Sequence, residues 1–346
     1  MVISQLSRAE KLKIFWDSFI RVDSQSSSAD SNLSMGVDDP EIIKSFLANE
    51  QQRIRSFIRR RVRLAKRVFK FFALHHFLHE IHAFVETDPD VLLSYLLYQA
   101  EMFLRQSTDG DQIMIPSEIV ALVEELQSRL RVKWHRFHQQ PCYPATTIKR
   151  AALVAQYLRP GSRGLCMGDD DFVSIALAMM TGNEITVIDL DPQVISLIQE
   201  TANNRKLRIA TQIVNIYKRL PSSLIAAFDV IITDPIYFVK DMMNFLSAAE
   251  QCLSTSAGST LLTCCARALA GPAWNTVQRW AASRGLVAEK FFDGFNEYPK
   301  PVHIQALLSM GERLFCHTPM TQACARIPDV YSDIVVFRRI ARGGWL

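Results

Sequence analysis

Arg163-Gly164-Leu165-Cys166-Met167-Gly168-Asp169-Asp170-Asp171 is the stretch whose reading decides the fold. Arg163–Met167 reads as a short buried strand. Gly168 to Asp171 then makes a tight turn, and Phe172 to Met180 has the length and composition of a helix. Strand, tight turn and helix open a nucleotide-binding α/β sheet. Such a turn usually carries several glycines, which let backbone amides approach an anion. Here one glycine is followed by three acids, a combination that favours a cation. One carboxylate is enough to cap the following helix and complement its dipole, so three acids exceed that need.

Downstream the alternation is regular. Strand Ile185–Ile188 ends in Asp189-Leu190-Asp191-Pro192, and a helix runs from Gln193 to about Asn203. Arg208–Val214 is a third strand. Phe228–Thr233 is a fourth, ending in Asp234-Pro235-Ile236-Tyr237. Helix Met242–Cys252, strand Thr260–Cys264, helix Trp274–Ser283, strand Val287–Phe292 and a last strand, Asp333–Phe337, complete the pattern. Strands separated by helices of this length imply a parallel sheet covered on both faces. A last strand without its own helix suits an antiparallel partner near the edge. Upstream, Thr146-Thr147 caps a helix from Ile148 to Leu158 that ends at Pro160-Gly161. Residues 141–346 therefore have the α/β pattern of the class I methyltransferase-like, Rossmann-like fold.

Residues 1–140 read as an all-helical accessory domain. A loop rich in Ser, Asp and Asn spans about residues 22–39. A basic run without acids follows inside a long helical pattern, from Arg53 through Arg59, Arg60, Arg61 and Arg63 to Lys70. Its apolar stripe reads as a face packed on a core with arginines around it, or as a grip on an anionic partner. His75, His76, His79, Glu80 and His82 complete no recognised zinc spacing and read as structural, so no metal is expected. Further helices span Asp88 to Leu104 and Pro116 to Leu130.

The chain's 346 residues suffice for two domains. A net charge of +4 singles out no class of partner. The seven cysteines form no CxxC pair, which suits reduced thiols in a cytoplasmic protein. Met1 to Ile20 lacks the apolar run of a signal peptide, and no stretch is apolar for long enough to span a bilayer.

Ligands of such a sheet lie at the carboxyl ends of its strands. Three acidic groups fall there: Asp169, Asp170 and Asp171 after strand one, Asp189 and Asp191 after strand two, and Asp234 after strand four. Asp189 stands about 20 residues past the first turn, where a carboxylate accepts hydrogen bonds from a ribose hydroxyl. Asp234-Pro235 faces the same mouth. An acidic, nucleoside-compatible site suits an adenosyl donor with a cationic group and a cationic acceptor, because carboxylates hold ammonium groups. A carboxylate beside the attacking nitrogen can also take its proton.

These residues resemble the branched-chain polyamine synthase (bis-aminopropyl spermidine synthase) family. The similarity rests on Gly168-Asp169-Asp170-Asp171, Asp189-Leu190-Asp191, Thr233-Asp234-Pro235 and Phe295-Asn296-Glu297-Tyr298, with Thr146-Thr147 and Lys149-Arg150 ahead of strand one. It covers roughly residues 141–310. The resemblance implies aminopropyl transfer from decarboxylated S-adenosylmethionine to an amine such as a polyamine, releasing methylthioadenosine. It places Asp169, Asp170 and Asp171 at the reacting amine. Gly168, Asp189, Asp191 and Asp234 would hold the donor, while Asp234, Pro235, Tyr237, Asn296, Glu297 and Tyr298 would hold the acceptor. After Asp-Pro the family pattern continues with a second proline and Glu-Thr. Ile236, Tyr237 and Phe238 stand there instead, which implies a less cationic acceptor. Relatives of this fold also transfer a 3-amino-3-carboxypropyl group from S-adenosylmethionine itself, whose carboxylate Arg150 or Lys149 could hold.

The sequence admits two other readings. A nucleic-acid or small-molecule methyltransferase would stack a base on Tyr237 and use the basic helix on phosphates. A non-catalytic relative would bind a nucleoside only. The expected partners are a small amine and, through the helical half, a second copy of the chain. Nucleic acid is the alternative partner, and no membrane contact is expected.

Overall fold

The computed structural model describes residues 98–99, 102, 116–132, 137–236, 239–271, 274–300 and 329–340. The expectations for residues 1–20, the loop at 22–39, the basic run, the histidine group, Tyr237 and Phe238 lie outside the described residues. The chain divides into one unit made of Met1–Gly110 with Pro299–Val330, and a second made of Asp111–Tyr298 with Tyr331–Leu346. The second unit contains the sheet core and every site residue discussed below.

The described elements are helix α1 (Ser117–Arg129), α2 (Pro144–Ala155), strand β1 (Arg163–Met167), α3 (Val173–Thr181), β2 (Glu184–Asp189), α4 (Pro192–Arg205), β3 (Ile209–Ile213), β4 (Val230–Thr233), α5 (Val239–Cys252), β5 (Thr260–Cys265), α6 (Arg267–Ala270), α7 (Trp274–Ser283), β6 (Leu286–Pro299) and β7 (Asp329–Arg339). The sheet order is β3-β2-β1-β4-β5-β7-β6. The chain starts at the centre, runs outward through β2 and β3, then crosses back to β4. This leaves a crevice beyond the carboxyl ends of β1 and β4, where such sheets bind ligands. The pairs β1–β2, β1–β4, β2–β3 and β4–β5 are parallel. β5 and β7 are antiparallel, from Thr260 opposite Arg338 to Cys265 opposite Asp333. The class I methyltransferase-like expectation therefore holds.

Along the parallel strands, successive residues feed two cores. Cys166, Val187, Ile232 and Leu262 face one side with helix residues Ile148, Ile175 and Ile198. Leu165, Met167, Ile188, Ile231 and Leu261 face the other with Leu246 and Val277. β4 and β5 are buried along their whole length on both faces, which is why they read as nearly continuous apolar runs.

β7 lies inside the sheet, with β6 outside it. The reason is visible in their side chains: Ile334, Val335, Val336 and Phe337 are all buried, whereas β6 exposes Val287, Glu289, Lys290 and Phe291. β6 is also longer than the expected Val287–Phe292 strand and carries Phe295 to Tyr298 within it. α1, which the sequence reading placed in the helical half, buries Ile119, Leu122, Val123 and Leu126 in the same core as α2 and α3.

The start of α2 differs from the expectation. Thr146 and Thr147 are inside its first turn, where their N–H groups donate to the Tyr143 carbonyl at 2.8 and 3.0 Å. Tyr143 is the cap residue and Pro144 opens the helix, a position that suits proline because its N–H is not needed there. This frees the threonine hydroxyls to tie distant segments together. Thr147 donates to the Asp171 carbonyl at 3.1 Å, and Thr146 to the Glu297 carbonyl at 3.3 Å.

Candidate functional site

The turn after β1 begins at Gly168, whose φ is +71°. Its N–H donates to the Ile188 carbonyl at 2.8 Å. A Cβ added there would meet Phe245 at an ordinary 3.7 Å, so the backbone angle, not space, requires glycine. The turn ends at Phe172, which has φ +61° although its ring is fully buried. Between these two left-handed residues the three aspartates take different positions.

Asp169 turns inward and caps α3. Its Oδ1 accepts the Val173 N–H at 2.8 Å, and its Oδ2 accepts the Ser174 N–H at 3.2 Å. Burial pushes its carboxyl up to about 8, partly offset by the hydrogen bonds from Ser174 and Val173. A buried carboxyl raised above its unfolded value contributes stability at low pH that is lost as pH climbs through the folded value. Asparagine caps as well as aspartate and carries no such proton. Asp169→Asn is therefore expected to gain on the wild type by at most about 1.4 kcal/mol per pH unit between roughly pH 4 and 8. Urea unfolding at both ends of that window checks this, and a gap that does not change with pH would contradict it.

Asp171 is also buried, at 3% exposure, and its carboxylate is engaged on both oxygens. The Cys142 N–H donates to Oδ1 at 2.5 Å, and Arg150 Nη1 makes an ion pair with Oδ2. Burial drives the Asp171 carboxyl upward, while the Arg150 guanidinium pulls it back toward the charged form.

Asp170 differs from both neighbours. It is half-buried and accepts no hydrogen bond from the described residues. Burial raises its carboxyl well above the usual range, and the charges of Asp171, Asp189, Asp234 and Asp169 raise it further.

At the end of β2, Asp189 accepts backbone N–H groups from Asp191 at 2.7 Å and Asp169 at 2.9 Å, so it also fixes the β1 turn. Burial raises its carboxyl despite these bonds. Asp191 is fully buried. Its Oδ1 caps α4 through the Gln193 N–H at 3.0 Å, and its Oδ2 accepts from Gln139 Nε2 at 2.9 Å. At the end of β4, Asp234 accepts from Arg150 Nη2 at 2.8 Å and from the Tyr298 hydroxyl at 2.6 Å. Pro235 beside it is buried.

β6 brings Asn296 and Tyr298, two residues apart on one face of the strand, into the same network. Asn296 is fully buried. Its Oδ1 accepts from Arg150 Nε at 2.7 Å, and its Nδ2 donates to Ser332 Oγ at 2.9 Å and the Asp333 carbonyl at 3.0 Å. Glu297, between them, is half-buried, and its carbonyl also accepts the Tyr143 N–H at 3.1 Å.

Arg150 is the residue at which these segments meet, and sequence reading did not assign it that place. Its side chain is 1% exposed. Besides Asp171, Asp234 and Asn296, Nη2 donates to the Tyr298 hydroxyl at 2.5 Å, and the guanidinium lies 5.3 Å from the centroid of that ring. Burial opposes its charge, yet the ionisable groups around it, Cys142, Cys264, Tyr298 and Asp234, hold its pKa above the usual value. Arg150 is thus engaged by protein groups on every nitrogen, which corrects the expectation that it could hold a donor's carboxylate. The available signal was an arginine among buried apolar positions of a helix, since such an arginine needs acidic partners.

The sheet order and the acids at the ends of β1, β2 and β4 define the class: a class I methyltransferase-like protein with an acidic ligand-binding end. Residues 118–317 match the model of the branched-chain polyamine synthase A C-terminal domain, and the chain belongs to that family. An uncharacterized protein of Methanocaldococcus jannaschii is 32% identical over 159 residues, 45% of this chain and 39% of that one. The N(4)-bis(aminopropyl)spermidine synthase of Thermus thermophilus is 27% identical over 176 residues, 49% of this chain and 50% of that one. The chain thus spans about half or less of the length of these curated relatives. The crystal structure of the branched-chain polyamine synthase from Thermus thermophilus, in complex with N4-aminopropylspermidine and 5′-methylthioadenosine, superposes with a TM-score of 0.56 at 16% identity, covering 84% of this chain and 95% of that one. At that identity the agreement concerns the fold. Among the described residues no helix is long and apolar enough to cross a membrane.

Proposed function

We propose that this protein transfers an aminopropyl group from decarboxylated S-adenosylmethionine to an amine, releasing methylthioadenosine. The observation that carries the reading is Asp170: a half-buried carboxyl, without a hydrogen-bond donor among the described residues, in the field of four other aspartates. Such a group attracts an ammonium ion. Its raised proton affinity also narrows the gap to an amine's, which lowers the cost of taking the acceptor's proton. The donor supplies a sulfonium whose carbon–sulfur bond breaks toward sulfur as the amine's lone pair forms the new carbon–nitrogen bond. Asp170 receives the proton lost from that nitrogen.

Asp189 fits the ribose at the end of β2, beside Gly168, because a carboxylate has lone pairs beyond the one used for each backbone N–H. Asp234, Glu297 and Tyr298 are the candidates for the acceptor's remaining amines, with Pro235 and Tyr237 beside them. Asp169, Asp171, Asp191 and Asn296 serve this site through the turn, the helix caps and Arg150. The relatives named N(4)-bis(aminopropyl)spermidine synthase support the reading. Transfer of a 3-amino-3-carboxypropyl group is disfavoured, since Arg150 is already engaged and the remaining acids repel a carboxylate. In this reading the enzyme is cytoplasmic, and the stretch ahead of α1, whose sequence pattern is that of an accessory domain, is suited to a homodimer contact.

The test is to incubate the protein with spermidine and either decarboxylated or intact S-adenosylmethionine, and to identify the nucleoside by mass spectrometry. Methylthioadenosine from the decarboxylated donor is expected. S-adenosylhomocysteine from the intact donor would overturn the proposal in favour of methyl transfer.

A further inference from the structure

Four acids crowd around Asp170, and a cluster of that kind has a general difficulty. Like charges share protons, so without further structure the acceptor's proton would have no defined destination. The buried guanidinium of Arg150 addresses this difficulty. It touches Asp171 and Asp234 but makes no hydrogen bond to Asp170.

We infer that Arg150 is the positioning residue that decides which carboxylate takes the acceptor's proton: by pairing with Asp171 and Asp234, it leaves Asp170 as the proton acceptor. This inference rests on the proposed reaction. Its structural basis is the geometry of the guanidinium fork. Nε is held by Asn296, which is itself held by Ser332 Oγ and the Asp333 carbonyl. The plane of the fork is therefore set by β6 and β7, not by the acids it serves. Within that plane Nη1 meets the β1 turn, and Nη2 meets the β4 turn at 2.8 Å. The Tyr298 hydroxyl accepts from Nη2 and donates to Asp234, which closes the ring of contacts.

The ionisable groups facing Arg150 are Asp171 in the β1 turn, Asp234 after β4, Tyr298 on β6, Cys264 on β5 and Cys142 ahead of α2. Those acting on Asp170 include Asp169, Asp171, Asp189 and Asp234. Lysine would keep the charge at this position but has no planar fork that reaches two carboxylates at once.

The test compares Arg150→Met and Arg150→Lys with the wild type. Infrared titration of aspartates carrying carbon-13 carboxyl groups counts the protonated carboxyls without needing turnover. Arg150→Met is expected to show additional protonated carboxyl at neutral pH and an acid limb of kcat shifted to higher pH, because loss of a nearby cation raises proton affinity. Arg150→Lys is expected to restore the infrared pattern but not kcat. Both variants should lose about a hundredfold in kcat, the scale of misplacing a catalytic group by about an ångström. Affinity for 5′-methylthioadenosine, measured by calorimetry, should stay within about threefold. Wild-type carboxyl titration in folded Arg150→Met, or wild-type kcat in either variant, would overturn the inference. If Arg150→Met does not fold, the kcat of Arg150→Lys decides. If the wild type releases no methylthioadenosine, the proposed reaction fails, while the infrared comparison still decides how Arg150 distributes charge.

Discussion

Asp170→Asn is expected to lower kcat by about a thousandfold, in the middle of the range for removing a general base. Asparagine keeps the shape but cannot accept the proton. Little stability is at stake, since the Asp170 carboxylate accepts no hydrogen bond from the described residues. The substitution also removes one charge from a group of mutually repelling acids. The melting temperature should therefore hold or rise slightly while methylthioadenosine release in a single turnover collapses. Turnover within tenfold of the wild type would exclude Asp170 as the proton acceptor.

The adjacent residue is expected to behave in the opposite way. Asp171→Ala leaves the buried Arg150 guanidinium without one of its two carboxylates and the Cys142 N–H without its acceptor. Breaking a buried pair from one side costs about 3–5 kcal/mol, because the remaining charge has no access to water. Urea unfolding should show this loss directly, and a loss below about 1 kcal/mol would mean that Arg150 finds another partner. Two neighbouring aspartates with near-identical sequence context are thus expected to divide between turnover and stability. The family resemblance alone placed all three acids of the turn at the reacting amine.

That division marks the limit of what could be read without the structure. The β1 strand, the acidic turn and α3 were legible because they are local: a five-residue strand whose last four residues are buried, a glycine turn and a helical stretch follow one another without a gap. The acids after β2 and β4 were legible as strand-end residues, because alternation of strands and helices fixes where the carboxyl ends lie. The partners of Arg150 were not legible. They stand 21, 84, 146 and 148 residues away along the chain, and no periodicity links such positions. Asp191 looked equivalent to Asp189 but is turned inward to cap α4. Asn296 looked like a ligand contact but holds Arg150.

The sequence by itself determined the α/β class, the central place of Gly168 to Asp171 and the acidity of the ligand-binding end. Hydrophobic periodicity and turn chemistry act over a few residues and leave their record in the order of amino acids. The tertiary structure decided which acids are paired, which cap helices and which accepts no hydrogen bond among the described residues, and it placed β7 between β5 and β6. Those outcomes depend on burial and on where a guanidinium can reach. Both are set only when segments more than a hundred residues apart close on one another, because in a buried site each charge must find its partner before water is excluded.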